Sequence, residues 1–303
     1  MTTNDSKDYA HLGAKAREAL SLPDTDRIRF IRAGTWINLD YVKDVLEQLE
    51  DLRTHPRVAR MPCMLLVGAS FSGKTSLLEH FRDLHPADLD PEAQTTTCEV
   101  LMIEAPPKPD ISDFYSSILD ALMAPYKPTA PAHEKRSQVK RLFGQVGVKM
   151  LIIDEIHHLI AGSLNRQREF RNALKSLGNE TKVSIVAAGI EEAYNAFNAD
   201  AQMSSRFKPY DLPRWSIGPK LGVLLKTLES RTPLKRASGL HSPGMMTAIH
   251  ARSESSLGDI CDLVKEAGVK AIRTGEESIT LTLLDELNWV PPSKRKGHQR
   301  FAV

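Results

Sequence analysis

Apolar residues form short unbroken runs in the middle of the chain and recur at three- and four-residue steps elsewhere. MLLVG (64–68), CEVLMIEA (98–105), KMLIIDE (149–155) and VSIVAAG (183–189) are each bounded by turn residues, as expected of strands buried on both faces of a parallel sheet. Helix-period stretches separate them. Residues 56–214 therefore read as an α/β core, a parallel sheet flanked by helices.

On either side of this core the helical period dominates. In LDYVKDVLEQLEDLRTHP, Leu39, Val42, Leu46, Leu49 and Leu52 share a face until His55-Pro56 ends it, so residues 1–55 read as an amino-terminal helical extension. RIRFIRAGTWIN (27–38) mixes arginines with Phe30, Ile31, Trp36 and Ile37, suited either to an edge packed on the core or to a wall of an adenine pocket. The insert between the second and third strands is helical in its middle, with Ile111, Phe114, Ile118 and Leu122 on one stripe, and looped at both ends. Residues 215–290 read as a small helical lid packed beside the core. Residues 291–303 read as a frayed basic tail, in which Lys294, Arg295 and Lys296 either meet DNA or a partner or simply solubilise.

Composition narrows the class without naming a partner. A net charge of +2 with 26% charged and 41% hydrophobic residues over 303 positions is that of an ordinary globular protein, so any nucleic-acid surface must be local. Cys63, Cys98 and Cys261 lie far apart without CxxC spacing, which points to packing rather than to disulfides or zinc. No apolar window reaches the roughly 20 residues a bilayer span needs, and the amino terminus has no apolar signal region, so a cytoplasmic, membrane-free protein is expected.

The chemistry begins at MLLVGASFSGKTSLLEHF (64–81). Gly68, Gly73, Lys74 and Thr75 fit GxxxxGK[ST] between a predicted strand and a predicted helix, the context that makes this a phosphate-binding loop. The glycines let backbone N–H groups converge on phosphate oxygens, the helix amino end adds positive potential, and Lys74 reaches the β- and γ-phosphates. Thr75 offers its hydroxyl to Mg²⁺, and Ser70, Ser72 and Ser76 belong to the same ATP-contacting stretch.

Asp154 and Glu155 end a buried strand, at the edge where open α/β sheets bind ligands. Asp154 is expected to hold Mg²⁺ and Glu155 to orient and polarise the attacking water; the plainer role for both is to cap the following helix. A water-activating carboxylate favours hydrolysis over transfer to a small molecule. His157 and His158 occupy adjacent helix positions, which are expected to point apart and to serve surface or packing roles. Arg206, in AQMSSRFKPYDLP, falls on the far side of the expected sheet, out of reach of its own subunit's phosphate but available to a neighbour's; otherwise it is a surface or ion-pair arginine.

Together these segments resemble the AAA+ ATPases, and within them the TniB/TnsC transposition regulators, closest to TniB, with the phage MuB protein as a more distant relative. The resemblance rests on residues 27–81, on LIIDEIHHLIAGSLNRQREFRNALKSLGNE and on MSSRF, and more loosely on SLGDICDLVKEAGVKAI and ESITLTLLDEL in the lid. It implies an oligomer, ring or helical filament, that binds ATP and duplex DNA, marks the target and recruits and stimulates a transposase of the TniA/TnsB type. A TniQ-like protein limits the assembly and hydrolysis dissolves it. It also implies that Lys74, Thr75, Asp154 and Glu155 bind and hydrolyse ATP and that Arg206 acts in trans. Lys108 and Lys127, on the loops of the insert, are the candidate DNA-phosphate contacts.

Two departures from the AAA+ pattern are visible. VSIVAAG ends in Ala188 and Gly189 where a polar sensor is usual, and Gly-Asp-Ile is followed by Cys261 where an arginine is usual. Both predict slow turnover. The competing readings are a helicase-loader ATPase and an interaction module that binds ATP with negligible hydrolysis.

Overall fold

The computed structural model describes residues 9–34, 36–88, 96–160 and 163–295. They form two compact units, Asp40–Pro213 and the described residues on either side of that span, so the segment read as an amino-terminal extension is shared between the two. No helix among the described residues is long and apolar enough to cross a membrane.

The Asp40–Pro213 unit is built on five strands: β1 (Cys63–Val67), β2 (Val100–Glu104), β3 (Met150–Asp154), β4 (Ser184–Gly189) and β5 (Phe207–Asp211). Their order is β2-β3-β4-β1-β5 and every neighbouring pair is parallel. All residues of β1, β3 and β4 are buried, which explains why they are written as apolar runs instead of alternating patterns. β5 escapes that signature. Its Phe207 is buried, but Lys208 and Pro209 are exposed, and as an edge strand paired only with β1 it tolerates a proline.

Helices then cover the sheet with the faces their spacing predicts. Asp40–Thr54 buries Val42, Val45 and Leu49, with Val45 rather than Leu46 completing the stripe. Ile111–Ala121 buries Phe114 and Ile118 and is capped by Asp110, whose carboxylate accepts from the N–H groups of Ser112 and Asp113. Phe114 meets Phe170 edge-on at 5.1 Å, and Phe197 meets Phe207 likewise at 4.9 Å. Such contacts add about 1 kcal/mol each to the area they bury.

The other unit is helical, comprising Ala14–Ala19, Asp24–Ala33, Pro219–Arg231, Pro243–Ser253, Leu257–Thr274, Leu281–Asp285 and Pro292–Arg295. Its buried ion pair joins residues far apart in sequence. Arg27, only 1% exposed, clasps Glu277 with Nη1 2.8 Å from Oε1 and Nη2 2.5 Å from Oε2, and also donates to the Pro233 carbonyl. Burial pushes the Glu277 carboxyl up, but the Arg27 hydrogen bonds and the Lys235 N–H outweigh it and hold it at about 2. Arg27→Met should therefore leave the buried carboxylate to Lys235, whose ammonium lies 3.3 Å away, and cost about 3 kcal/mol. Because the folded carboxyl titrates below its ordinary value, the pair's contribution is complete above about 4.5 and fades as pH falls toward 2. Denaturant unfolding at pH 7 and pH 3 checks this, with the parent–variant gap expected to narrow at the lower pH.

At the chain's carboxyl side, Arg295 sits 2.6 Å from Asp259 and over the Trp289 ring at 5.1 Å, while Lys296 and the rest of the expected basic tail lie outside the described residues. The three cysteines are free, with burial pushing the thiols of Cys63 and Cys261 up to about 11.

Candidate nucleotide-binding site

Strand register assembles the site. Val67 pairs with Gly189, Ile153 with Ala187 and Glu104 with Asp154, so the carboxyl ends of β1 to β4 share one edge. The loop after β1 is anchored there by the Gly68 N–H, which donates to the Gly189 carbonyl at 3.1 Å. A Cβ on Gly68 would stand 2.6 Å from Ser72 Oγ and 3.2 Å from Leu212 Cβ, so a side chain here would displace the Ser72 hydroxyl and crowd Leu212. Gly73 turns the chain at φ 90° into the helix Lys74–Leu84, whose first turn has neither an acidic residue nor a side-chain cap. Its amino-terminal N–H groups are thus left for an anion.

Lys74 is 5% exposed and donates to the carbonyls of Gly68 and Ala69 at 2.8 and 2.9 Å. Burial pushes its ammonium below the usual lysine value, while the charges of Glu155 and Asp154 pull the other way. Thr75 Oγ1 donates to Asp154 Oδ2 at 2.6 Å, and Asp154 Oδ1 accepts from the Glu155 N–H at 2.8 Å. Ser72 Oγ is buried without a hydrogen-bond partner among the described residues, whereas Ser70 and Ser76 are exposed. An orphaned hydroxyl, a buried ammonium resting on backbone carbonyls and a hydroxyl–carboxylate pair fit a phosphate chain with a hard divalent cation. Thr75 and Asp154 are the pair that would hold Mg²⁺.

Glu155 leaves β3 with φ 52°, in the left-handed region, and its Oε2 lies 3.0 Å from His157 Nδ1. The histidines do not diverge as adjacent helix positions were expected to. Successive residues turn by about 100° rather than 180°, and the two rings meet at 4.5 Å, leaving ligand atoms of Glu155, His157 and His158 within 4.8 Å of one another. At the end of β4 the missing sensor has a steric reason. A Cβ on Gly189 would come 2.9 Å from both Ala193 Cβ and Ile156 Cγ2, and Ala188 is fully buried.

Arg206 stands on the opposite edge. It immediately precedes β5, whose Phe207 pairs with Cys63 at the start of β1, so the strand's full length of about 17 Å separates it from the loop that follows Val67. Its guanidinium donates to Asn179 Oδ1 at 2.7 Å and to the Lys175 carbonyl at 3.4 Å. Asn179 and Lys175 escaped the sequence reading, although Asn172, Lys175, Ser176 and Asn179 form a polar stripe at helical spacing on Leu164–Thr181, opposite buried Phe170, Leu174 and Leu177.

Lys108 and Lys127 are both exposed but lie at opposite ends of the helix Ile111–Ala121, about 16 Å long. Lys135, by contrast, is 2% exposed. It donates to Ser112, Ser116 and the Pro128 carbonyl and so fixes the loop that carries Lys127.

The sequence matches the family described as bacterial TniB protein over residues 27–217. No curated protein matches the chain. Among solved structures the chain is similar to the Aeropyrum pernix ORC1 protein in complex with DNA, with a TM-score of 0.58 and 16% identity over 89% of this chain and 67% of that one. It is also similar to Cdc6p from Pyrobaculum aerophilum, with a TM-score of 0.59 and 15% identity over 85% and 68%. AMPPCP-bound DnaA from Aquifex aeolicus gives a TM-score of 0.51 and 14% identity over 80% and 66%. At such identities the likeness is one of fold, the AAA+ α/β architecture. With more than half of its length and every nucleotide-site residue inside the matched span, this chain belongs to the TniB family.

Proposed function

We propose that the protein is an ATP-hydrolysing regulator of DNA transposition that oligomerises on duplex DNA without reading its sequence, recruits and activates a transposase, and disassembles on hydrolysis. The observation that supports this is the placement of two groups of residues on opposite edges of one sheet in a TniB chain: Lys74, Thr75, Asp154 and Glu155 on one, Arg206 on the other. An arginine so placed serves a nucleotide held by a second copy.

Within one subunit, Lys74 leaves the carbonyls of Gly68 and Ala69 to neutralise phosphate oxygens, and Gly68, Ser70, Ser72, Gly73 and Ser76 shape or extend the cradle. Mg²⁺, when bound with ATP, neutralises charge on the terminal phosphates. Glu155 orients the attacking water and takes its proton at a carboxylate oxygen. The transposase of TniA/TnsB type and the TniQ-like limiting protein are partners inferred from family membership. Lys108 and Lys127 are proposed phosphate contacts; neutralising either should lower the salt slope of DNA binding by about one without altering sequence preference, read from binding isotherms over a range of salt.

Electron microscopy with duplex DNA and ATP, a non-hydrolysable analogue or ADP tests the assembly. Lys74→Ala is expected to abolish ATP-dependent assemblies, because triphosphate occupancy selects the assembled state. Equal assembly by parent and variant would overturn the switch. The closed sensor position at Gly189 favours one second reading, an ATP-binding module with negligible turnover. Phosphate release with and without DNA separates the two.

A further inference from the structure

The edge that carries Arg206 also holds a groove of about 520 Å³, lined by the cations Arg60, Lys175 and Arg206 and by the amides of Asn172, Asn179 and Gln202. Among the described residues no carboxylate lines it. Arg60 Nη2 donates to Ser205 Oγ at 2.5 Å, and Arg206 is held by Asn179. Lys175 Nζ lies 3.0 Å from Gln202 Oε1 and 3.5 Å from Asp200 Oδ2. Asp200, the acid beside Lys175, is shared with Arg171 Nε at 3.5 Å and caps the turn at Gln202 and Met203. Glu180 accepts from the Oγ of Ser176, which also lines the groove, at 2.6 Å, and its charge is matched by Arg136 and Lys140. Excess positive charge therefore remains in a concave site rich in amide donors, the setting in which a multiply charged oxyanion is bound.

We infer that Arg60 and Lys175 join Arg206 in receiving the terminal phosphate of the nucleotide held by a second copy of this chain, with Asn179 as the positioning residue for the Arg206 guanidinium. This rests on the trans arrangement proposed above and adds to it. The groove is concave and compact, which suits the end of a triphosphate more than a track of DNA phosphates. The chain's own nucleotide loop is about a strand's length away, so the anion must come from another subunit. Arg60 approaches from the segment before β1 and Lys175 from the helix Leu164–Thr181, so three separate segments grip one phosphate.

The test uses the full-length protein as Arg60→Gln, Lys175→Gln, Asn179→Ala and Arg206→Ala variants, each checked for unchanged melting temperature and unchanged ATP binding by isolated subunits. Arg60→Gln and Lys175→Gln are expected to lower DNA-stimulated turnover about tenfold or more, as lost charge-assisted hydrogen bonds do. They should also raise the protein concentration needed for self-association with a non-hydrolysable ATP analogue, measured by sedimentation, by a similar factor. Mixing either with Lys74→Ala, which lacks a working nucleotide loop but brings an intact groove, should restore part of the turnover. Parental turnover and self-association in the Arg60 and Lys175 variants, with Arg206→Ala inactive and rescued by mixing, would overturn this inference and leave the trans reading standing. Loss without rescue by mixing would overturn it by placing the groove's action within its own subunit. Parental turnover in Arg206→Ala would remove the trans reading itself.

Discussion

Arg206→Ala is expected to lower ATP turnover by at least about 10³-fold while leaving nucleotide affinity of the isolated subunit unchanged. Affinity is spared because every group proposed to grip the subunit's own nucleotide, from Gly68 to Thr75 with Asp154, sits on the carboxyl edge of the sheet, whereas Arg206 precedes β5 at the amino edge. The fold is spared because, among the described residues, its guanidinium hydrogen-bonds to the Asn179 side chain and a carbonyl of the helix Leu164–Thr181, while the backbone bond from Cys63 N–H to the Arg206 carbonyl survives the substitution. Turnover is lost because a planar, permanently charged fork stabilises charge spread over the transferring phosphoryl oxygens in a way no neutral side chain replaces. Single-turnover phosphate release beside equilibrium binding checks it. Unchanged turnover would return Arg206 to the role of an intrachain tether for Asn179.

What the chain discloses before folding, and what it withholds, divides along the line between local and non-local causes. β1, its glycine loop and β3 with its two acids are legible because consecutive residues carry both the burial and the chemistry. β5 is not, since Lys208 and Pro209 belong to an edge whose position depends on pairing with a strand far earlier in the sequence. The absent sensor shows as Ala188-Gly189, but its cause, the crowding of Ile156 and Ala193 around Gly189, needs three segments brought together. Lys135 is not legible for the same reason, as a lysine in a polar insert becomes a buried anchor only once Ser112, Ser116 and Pro128 surround it. The groove around Arg206 is a further instance: its stripe on Leu164–Thr181 has the right spacing, yet nothing in the spacing says that Arg60 will face it.

Glu155→Gln should reduce turnover about 10²- to 10⁴-fold, the range general-base chemistry contributes, but with the opposite effect on assembly from Arg206→Ala. Glutamine keeps the shape of the side chain and meets the same left-handed backbone at φ 52°, so the turn out of β3 and the Asp154–Thr75 pair are preserved. What disappears is the acceptor for the water's proton. Bound triphosphate then persists, and since occupancy selects the assembled state, DNA-bound oligomers should outlive those of the parent. Arg206→Ala instead removes the proposed contact between subunits and should weaken assembly as it stops hydrolysis. Measuring phosphate release and the lifetime of DNA-bound oligomers on both variants separates chemistry from contact: a Glu155→Gln protein that turns over ATP normally would relegate Glu155 to the start of its helix, and one whose oligomers decay as fast as the parent's would uncouple hydrolysis from disassembly.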